Sequence, residues 1–130
     1  MKRFLDTNIL VYAQTTDRRK DRAIELIAEG GVISVQVLNE FASVLRRKLG
    51  SDWPQTQQAL DDVRAALEPA LPILLADHDA AIQIARQHGI AIYDAMIIAV
   101  ALRAGCDDLL TEDLQHGHQF GALRVVNPFI

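Results

Sequence analysis

Apolar positions along this chain come in short clusters whose spacing switches between the strand and helix periods. Phe4-Leu5 and Ile9-Leu10-Val11 flank the polar triplet Asp6-Thr7-Asn8. This predicts a short buried strand, then a helical turn from Asn8 to Ala13. Asp17 predicts a capped helix from about Arg18 to Glu29, with Ala23, Ile24 and Ile27 inward and Gly30-Gly31 as its stop. The β-branched run Val32-Ile33-Ser34-Val35 predicts a second strand. From Gln36 to Leu49, Val37, Phe41, Val44, Leu45 and Lys48 share one helical face, and Gly50 ends that helix.

Ser51-Asp52-Trp53-Pro54 reads as another helix start, continued by Leu60, Val63 and Leu67. Pro69 and Pro72 break the pattern, and Pro72 to Ala76 is expected as a brief third strand. Asp77 is expected to cap a helix with Ala81, Ile82 and Ala85 on its apolar face, closed by Gly89. Ala95 to Leu102 contains no polar residue, so its helix should lie in the middle of the fold. Leu109-Leu110 and Arg124-Val125-Val126 complete the strands. Alternating strands and helices predict an α/β fold, a parallel sheet covered on both faces, in one domain over residues 1–130.

Composition narrows the setting. Half of the residues are hydrophobic, enough for a sizeable core in 130 residues. The longest apolar run is far too short to cross a bilayer, and no basic-then-apolar leader precedes the first strand. A single cysteine, Cys106, excludes an internal disulfide and suits the reducing cytoplasm. The net charge of −4 argues at first against a nucleic-acid partner. Two basic groups soften that reading: Arg18, Arg19, Lys20 and Arg22, then Arg46, Arg47 and Lys48. Either is a solvated helix face or a phosphate contact, and Arg18, Arg19, Arg46 and Arg47 are the candidates for RNA contact.

The charge of −4 is also that of four carboxylates. Right-handed crossovers would put the loops after the strands on one rim. Asp6 and Asp113 follow two strands, while Asp94 and Glu40 lie on helices that start at that rim. Taken singly, each has an ordinary explanation: Asp6, Asn8 or Asp94 as a helix cap, Glu40 as an edge residue keeping its head in water. Their common placement has none. Two carboxylates about 4 Å apart repel by roughly 1 kcal/mol in water and roughly 4 kcal/mol at an effective dielectric of 20. Such a cluster holds protons or a hard divalent cation, and Mg²⁺ uses carboxylates together with waters and substrate phosphates. No His-Cys set has zinc spacing, and His116-Gly117-His118 is a weak candidate.

Four motifs in order carry a family resemblance: Phe4-Leu5-Asp6-Thr7-Asn8-Ile9, Asn39-Glu40-Phe41, Tyr93-Asp94-Ala95-Met96-Ile97 and Leu110-Thr111-Glu112-Asp113. With these the chain resembles PIN-domain ribonucleases, and more closely the VapC toxins of bacterial type II toxin–antitoxin modules. The resemblance implies a three-layer α/β/α domain with a central parallel sheet of strand order 3-2-1-4-5. It also implies Mg²⁺ or Mn²⁺ dependence and endonucleolytic cleavage of structured RNA, tRNA or rRNA, to stop translation. By motif position Asp6, Glu40, Asp94 and Asp113 would be both the catalytic and the metal-binding acids. Asn8 and Thr111 would orient them, and Glu112 competes with Asp113 for the fourth place. The implied partners are an RNA substrate, a small antitoxin and a second copy of the chain in a homodimer.

Two rival readings remain at this stage. Phosphatases and phosphotransferases that form an aspartyl-phosphate resemble Asp6-Thr7-Asn8, but they want a second Asp where Asn8 stands and a late lysine. An inert PIN-like module that binds RNA or a partner is the alternative, and the loss of an acid would favour it. All four are present.

Overall fold

The computed structural model describes residues 1–130. Its central strand is β1 (Arg3–Leu5), with Phe4 and Leu5 fully buried. On one side β1 pairs in parallel with β2 (Asp108–Leu110), which pairs in parallel with β4 (Leu123–Val126). β3 (Gln119–Phe120) adds antiparallel to β4 at the edge. On the other side the sheet continues through single parallel bridges, Phe4 to Val32 and Ser34 to Leu71. With residues 32–34 as second strand and Leu71 as third, the order is the expected 3-2-1-4-5, extended by β3.

Some expected boundaries shift for physical reasons. The third strand lies at Leu71 rather than over Pro72 to Ala76. Leu71 donates its N–H to the Ile33 carbonyl, whereas Pro72 has none to donate, and by Leu75 the chain is helical. The second strand gives up Val35, because Ser34 caps the next helix by accepting from the Val37 N–H. Asp17 accepts from the Arg19 N–H, three residues ahead of a helix that begins at Lys20. The inward face of that helix is carried by Ala23 and Leu26, with Ile27 half-buried and Ile24 exposed.

Six helices cover the sheet: α1 (Thr7–Tyr12), α2 (Lys20–Ala28), α3 (Val35–Arg47), α4 (Trp53–Ala66), α5 (Leu75–His88) and α6 (Ile92–Arg103). The first four pack on one another, while α5 and α6 form a separate pair. All three residues of β2 are buried, as a sheet covered on both faces requires. α6 supplies Ile97, Ile98, Val100 and Ala101 to the main core and turns Ala95 and Ala99 against Ala81 of α5. α4 opens on a reciprocal capping box between Asp52 and Gln55, with Pro54 in the first turn.

Asp77 does not cap α5 from outside. It is the third residue of that helix and accepts from the Leu74 N–H, and both of its oxygens take hydrogen bonds from Arg103 of α6, at 2.8 and 3.0 Å. Burial pushes the Asp77 carboxyl up, but Arg103 and the Leu74 N–H outweigh it and hold it below the usual range. Asp77 is buried while the Arg103 side chain reaches it from a more exposed position, and their two-point contact ties α6 to α5. Gly31 fits closely against the centre: its φ is +152°, and a Cβ there would collide with the Leu5 side chain of β1.

Candidate active site

β1 ends at Leu5, and the next residue, Asp6, is both buried and the N-cap of α1. The capping role and the functional role thus fall on one carboxylate. Its Oδ1 accepts the Thr7 N–H at 2.7 Å, and its Oδ2 accepts the Thr111 hydroxyl at 2.8 Å. Asn8 reaches it more loosely, at 3.5 Å. Burial nevertheless pushes the Asp6 carboxyl up to about 7, against those two hydrogen bonds and with the charges of Asp113 and Glu40 adding to the rise.

Thr111 follows β2, so the parallel pairing of β1 and β2 brings it beside Asp6 across 105 residues of sequence. Asn8 Nδ2 then links Thr111 Oγ1 and Asp113 Oδ2, each at 3.1 Å, while the Asp113 N–H donates to Thr111. Glu112 points elsewhere. It accepts the Tyr12 hydroxyl and lies 3.5 Å from the Arg19 guanidinium, which also forks onto Asp17. Of the two acids after β2, Asp113 is therefore the one beside Asp6.

Glu40 enters from α3, on the edge of its buried face. Thr7 donates its hydroxyl to one oxygen at 3.2 Å, and Gln36 donates its amide to the other at 2.6 Å. Gln36 also donates to the Tyr93 carbonyl, tying α3 to the start of α6. The motif reading passed over Thr7 and Gln36. Their signals were present: Gln36 precedes Glu40 by one helical turn, and Thr7 sits inside the polar triplet.

Asp94 is the third residue of α6, not its cap: the N-cap position is Ala91, without a side-chain hydrogen bond. Capping therefore does not explain it. Half-burial raises the Asp94 carboxyl, and the charges of Asp113 and Glu40 raise it further. Asp6 and Asp94, from opposite parts of the chain, thus each feel the charges of Asp113 and Glu40.

No three carboxylate, imidazole or thiol groups converge on one point at coordinating distance. The donor set nonetheless suits a hard cation, which uses one or two carboxylates and fills its shell with waters and substrate oxygens. One observation bears on this fit: the Asn8 amide donates to Asp6 and Asp113, while its own Oδ1 is buried with no hydrogen-bond partner. Native structures rarely leave such an oxygen unpaired. His116 and His118 stand apart: His116 accepts the Asn127 N–H and His118 stacks on Phe120. Cys106 is buried, and burial raises its thiol.

Two open clefts meet at Glu40. The larger, about 520 Å³, runs along α3 past Gln36, Asn39 and Ser43 and faces Ile73, Tyr93 and Met96. The smaller, about 290 Å³, lies between Thr7, Asn8, Tyr12, Lys48 and Asp113. Arg46 stacks over Trp53 and Arg19 over Tyr12, while Arg18 is exposed and Arg47 donates to Ser43.

The sequence profile of the PIN domain matches residues 3–118. No curated protein matches the chain in sequence. Among solved structures it is similar to a chain of a toxin–antitoxin complex from Klebsiella pneumoniae, with a TM-score of 0.76 and 19% identity over 98% of both chains. It is also similar to VapC20 of Mycobacterium tuberculosis, described as a toxin that cleaves the sarcin–ricin loop, with a TM-score of 0.70 and 20% identity over 86% of this chain and 92% of that one. A third is VapBC2 of Rickettsia felis, bound to a DNA fragment from its promoter, with a TM-score of 0.71 and 23% identity over 96% and 97% of the two chains. These likenesses show a shared fold.

Proposed function

The chain belongs to the PIN-domain family, and on that premise we propose that it is a divalent-cation-dependent endoribonuclease, the toxin of a type II toxin–antitoxin pair. The observation that carries this reading is the meeting of Asp6 and Asp113 at the Asn8 amide, with Glu40 held nearby by Thr7 and Asp94 following Tyr93, whose carbonyl shares Gln36 with Glu40. Those four acids and Asn8 would hold Mg²⁺, with Mn²⁺ able to replace it. A cation bound there supplies positive charge that offsets phosphoryl oxygens and acidifies water.

The protein's own groups prepare that state. Thr7 and Gln36 hold the Glu40 carboxylate in one orientation, and Thr111 does the same for Asp6. Asn8 links Asp113 to Thr111, so the two ends of the chain act as one unit. A proton on Asp6 near neutral pH is available for displacement by the cation, and the carboxylate is then free as a ligand. The clefts on either side of Glu40 give a phosphodiester backbone access from two directions.

Purified, metal-stripped protein should be inert toward RNA and should cleave it once Mg²⁺ or Mn²⁺ is added, since every candidate ligand is a hard oxygen. Robust cleavage in excess EDTA would overturn the metal-dependent reading. Binding of RNA without cleavage in either metal would leave an inert module. The proposed substrate class is structured RNA, tRNA or rRNA, and sequencing of RNA ends after brief induction would identify the cut.

The proposed partners are a small antitoxin and a second copy of the chain. The exposed apolar run Ile73-Leu74-Leu75, whose Ile73 lines the larger cleft with Tyr93, supports self-association on that side. Unneutralised carboxylates invite a guanidinium, which forks onto them, so an antitoxin tail carrying Arg would compete with the cation. Mn²⁺ titrated calorimetrically against the toxin should bind more weakly once the antitoxin is present. Equal affinity in both would show that no basic tail enters the pocket.

A further inference from the structure

We propose that Trp53 and Arg46, with Arg47 beside them, form a stacking platform for an unpaired stretch of RNA that continues along α3 to the acidic pocket. This rests on the nuclease reading above and names the part of the substrate that α3 would grip. Trp53 is the chain's single tryptophan, and it stands 67% exposed in the first turn of α4. Its covering group is the Arg46 guanidinium, 4.3 Å from the ring centroid. Arg46 is pinned by donating to the Ser51 carbonyl at 2.8 Å, so the planar pair is oriented before any ligand arrives.

The neighbouring groups give this pair a direction. Arg47 donates to Ser43 at 3.0 Å, and Ser43 lines the larger cleft together with Gln36, Asn39 and Glu40. Arg46 lies three residues beyond Ser43, on the same side of the helix. From Glu40 to Arg46 the helix rises about 9 Å, a span of a few nucleotides. The polar wall of the cleft thus joins an acidic end, suited to cation-assisted chemistry, to a cationic and aromatic end.

Charge complementarity selects the occupant. In a chain of net charge −4, Arg46, Arg47 and Lys48 are three consecutive cations. The negative end of the α3 dipole accounts for cations there but not for a bare indole stacked on one of them. Asp52, the nearest acid in sequence, is occupied by the Gln55 N–H in the α4 cap. Arg19, in the other basic group, is already held by Asp17 and Glu112. Unpaired bases stack on aromatic and guanidinium planes whatever their sequence, while the guanidinium edge remains free for phosphate.

The lone tryptophan reports on its own occupancy. Metal-stripped protein, which leaves RNA intact, is titrated with a single-stranded oligouridylate of roughly eight nucleotides, a typical site length for such grooves. Trp53 emission should change saturably and recover with added salt, and Arg46→Ala should weaken binding about five- to a hundredfold. In Mn²⁺-supported cleavage, Trp53→Ala should raise KM by a similar factor and far more than it lowers kcat, with Trp53→Phe restoring most of the loss. If wild-type protein cuts RNA while Trp53 emission stays constant and Trp53→Ala keeps the wild-type KM, the platform is wrong and the nuclease reading stands. Emission that changes with protein concentration alone would assign the surface to a second copy of the chain and overturn the proposal. Failure of wild-type protein to cut any RNA would sink the nuclease reading, and the titration would still decide whether RNA stacks on Trp53.

Discussion

Asp6→Asn and Asp94→Asn are each expected to lower RNA cleavage by about a thousandfold or more, because charge stabilisation by a bound cation is worth several kcal/mol of transition-state energy. The two substitutions strip charge from different elements, the end of β1 and the first turn of α6. Neither removes packing volume, so both variants should keep the fold. Asp6→Asn retains an oxygen for the Thr7 N–H but loses the bond to Thr111, whose two lone pairs already accept from Asn8 and from the Asp113 N–H. Cleavage by either variant within tenfold of wild type, measured with saturating Mn²⁺, would remove that residue from the proposed site.

Metal-free protein is expected to lose stability as the pH rises from about 4 to above 7, and Mn²⁺ should restore most of it. Asp6 has its ordinary value of 3.8 when unfolded and about 7 when folded. The folded state therefore binds the proton more tightly. The stabilisation by protonation is complete below the unfolded value and is lost as the pH climbs through the folded one. A shift of this size corresponds to roughly 4–5 kcal/mol, at about 1.4 kcal/mol per unit. Asp94, also raised, works in the same direction. Asp17 and Asp77 are lowered, so their contributions fade only below the ordinary carboxylate range, and Cys106 and Tyr12 titrate above the window.

Because a bound cation takes over the role of the proton, the slope should flatten with Mn²⁺ present. Metal-free Asp6→Asn should show a flatter slope as well. Above pH 7 it should melt several degrees higher than metal-free wild type, the gain being reduced by its poorer fit to Asn8. Thermal melts at several pH values, with and without Mn²⁺, check this. A wild-type melting temperature that is level from pH 5 to 8 in EDTA would show that Asp6 is ionised in the folded protein at no cost.

Much of this site was legible because its acids break apolar patterns. Asp6 interrupts a buried stretch, and Glu40 sits where a helix face turns inward. What the sequence hid depends on distant partners. Glu112 and Asp113 are adjacent and chemically alike, and only the positions of Tyr12, Arg19 and Asn8 separate them. The third strand is a single bridge at Leu71, too short to carry a period of two, and β3 holds just Gln119 and Phe120. Ile24 was misplaced because Ala23-Ile24 and Leu26-Ile27 are adjacent apolar pairs, and only the packing of α2 shows which member of each turns inward.

The parallel pairing of β1 with β2 also sets a schedule. Asp6 is made well before Thr111 and Asp113, which follow the partner strand β2. At about 5–20 residues per second, the 105 residues that separate Asp6 from Thr111 take on the order of 5–20 s to synthesise. Throughout that interval β1 can find Val32 on one flank, but its other flank stays open and Asp6 lacks the hydroxyl that orients it. A nascent or prematurely ended chain thus carries three of the four acids without the frame that gathers them. The proposed site is therefore put together only after β2 and the segment behind it have joined β1.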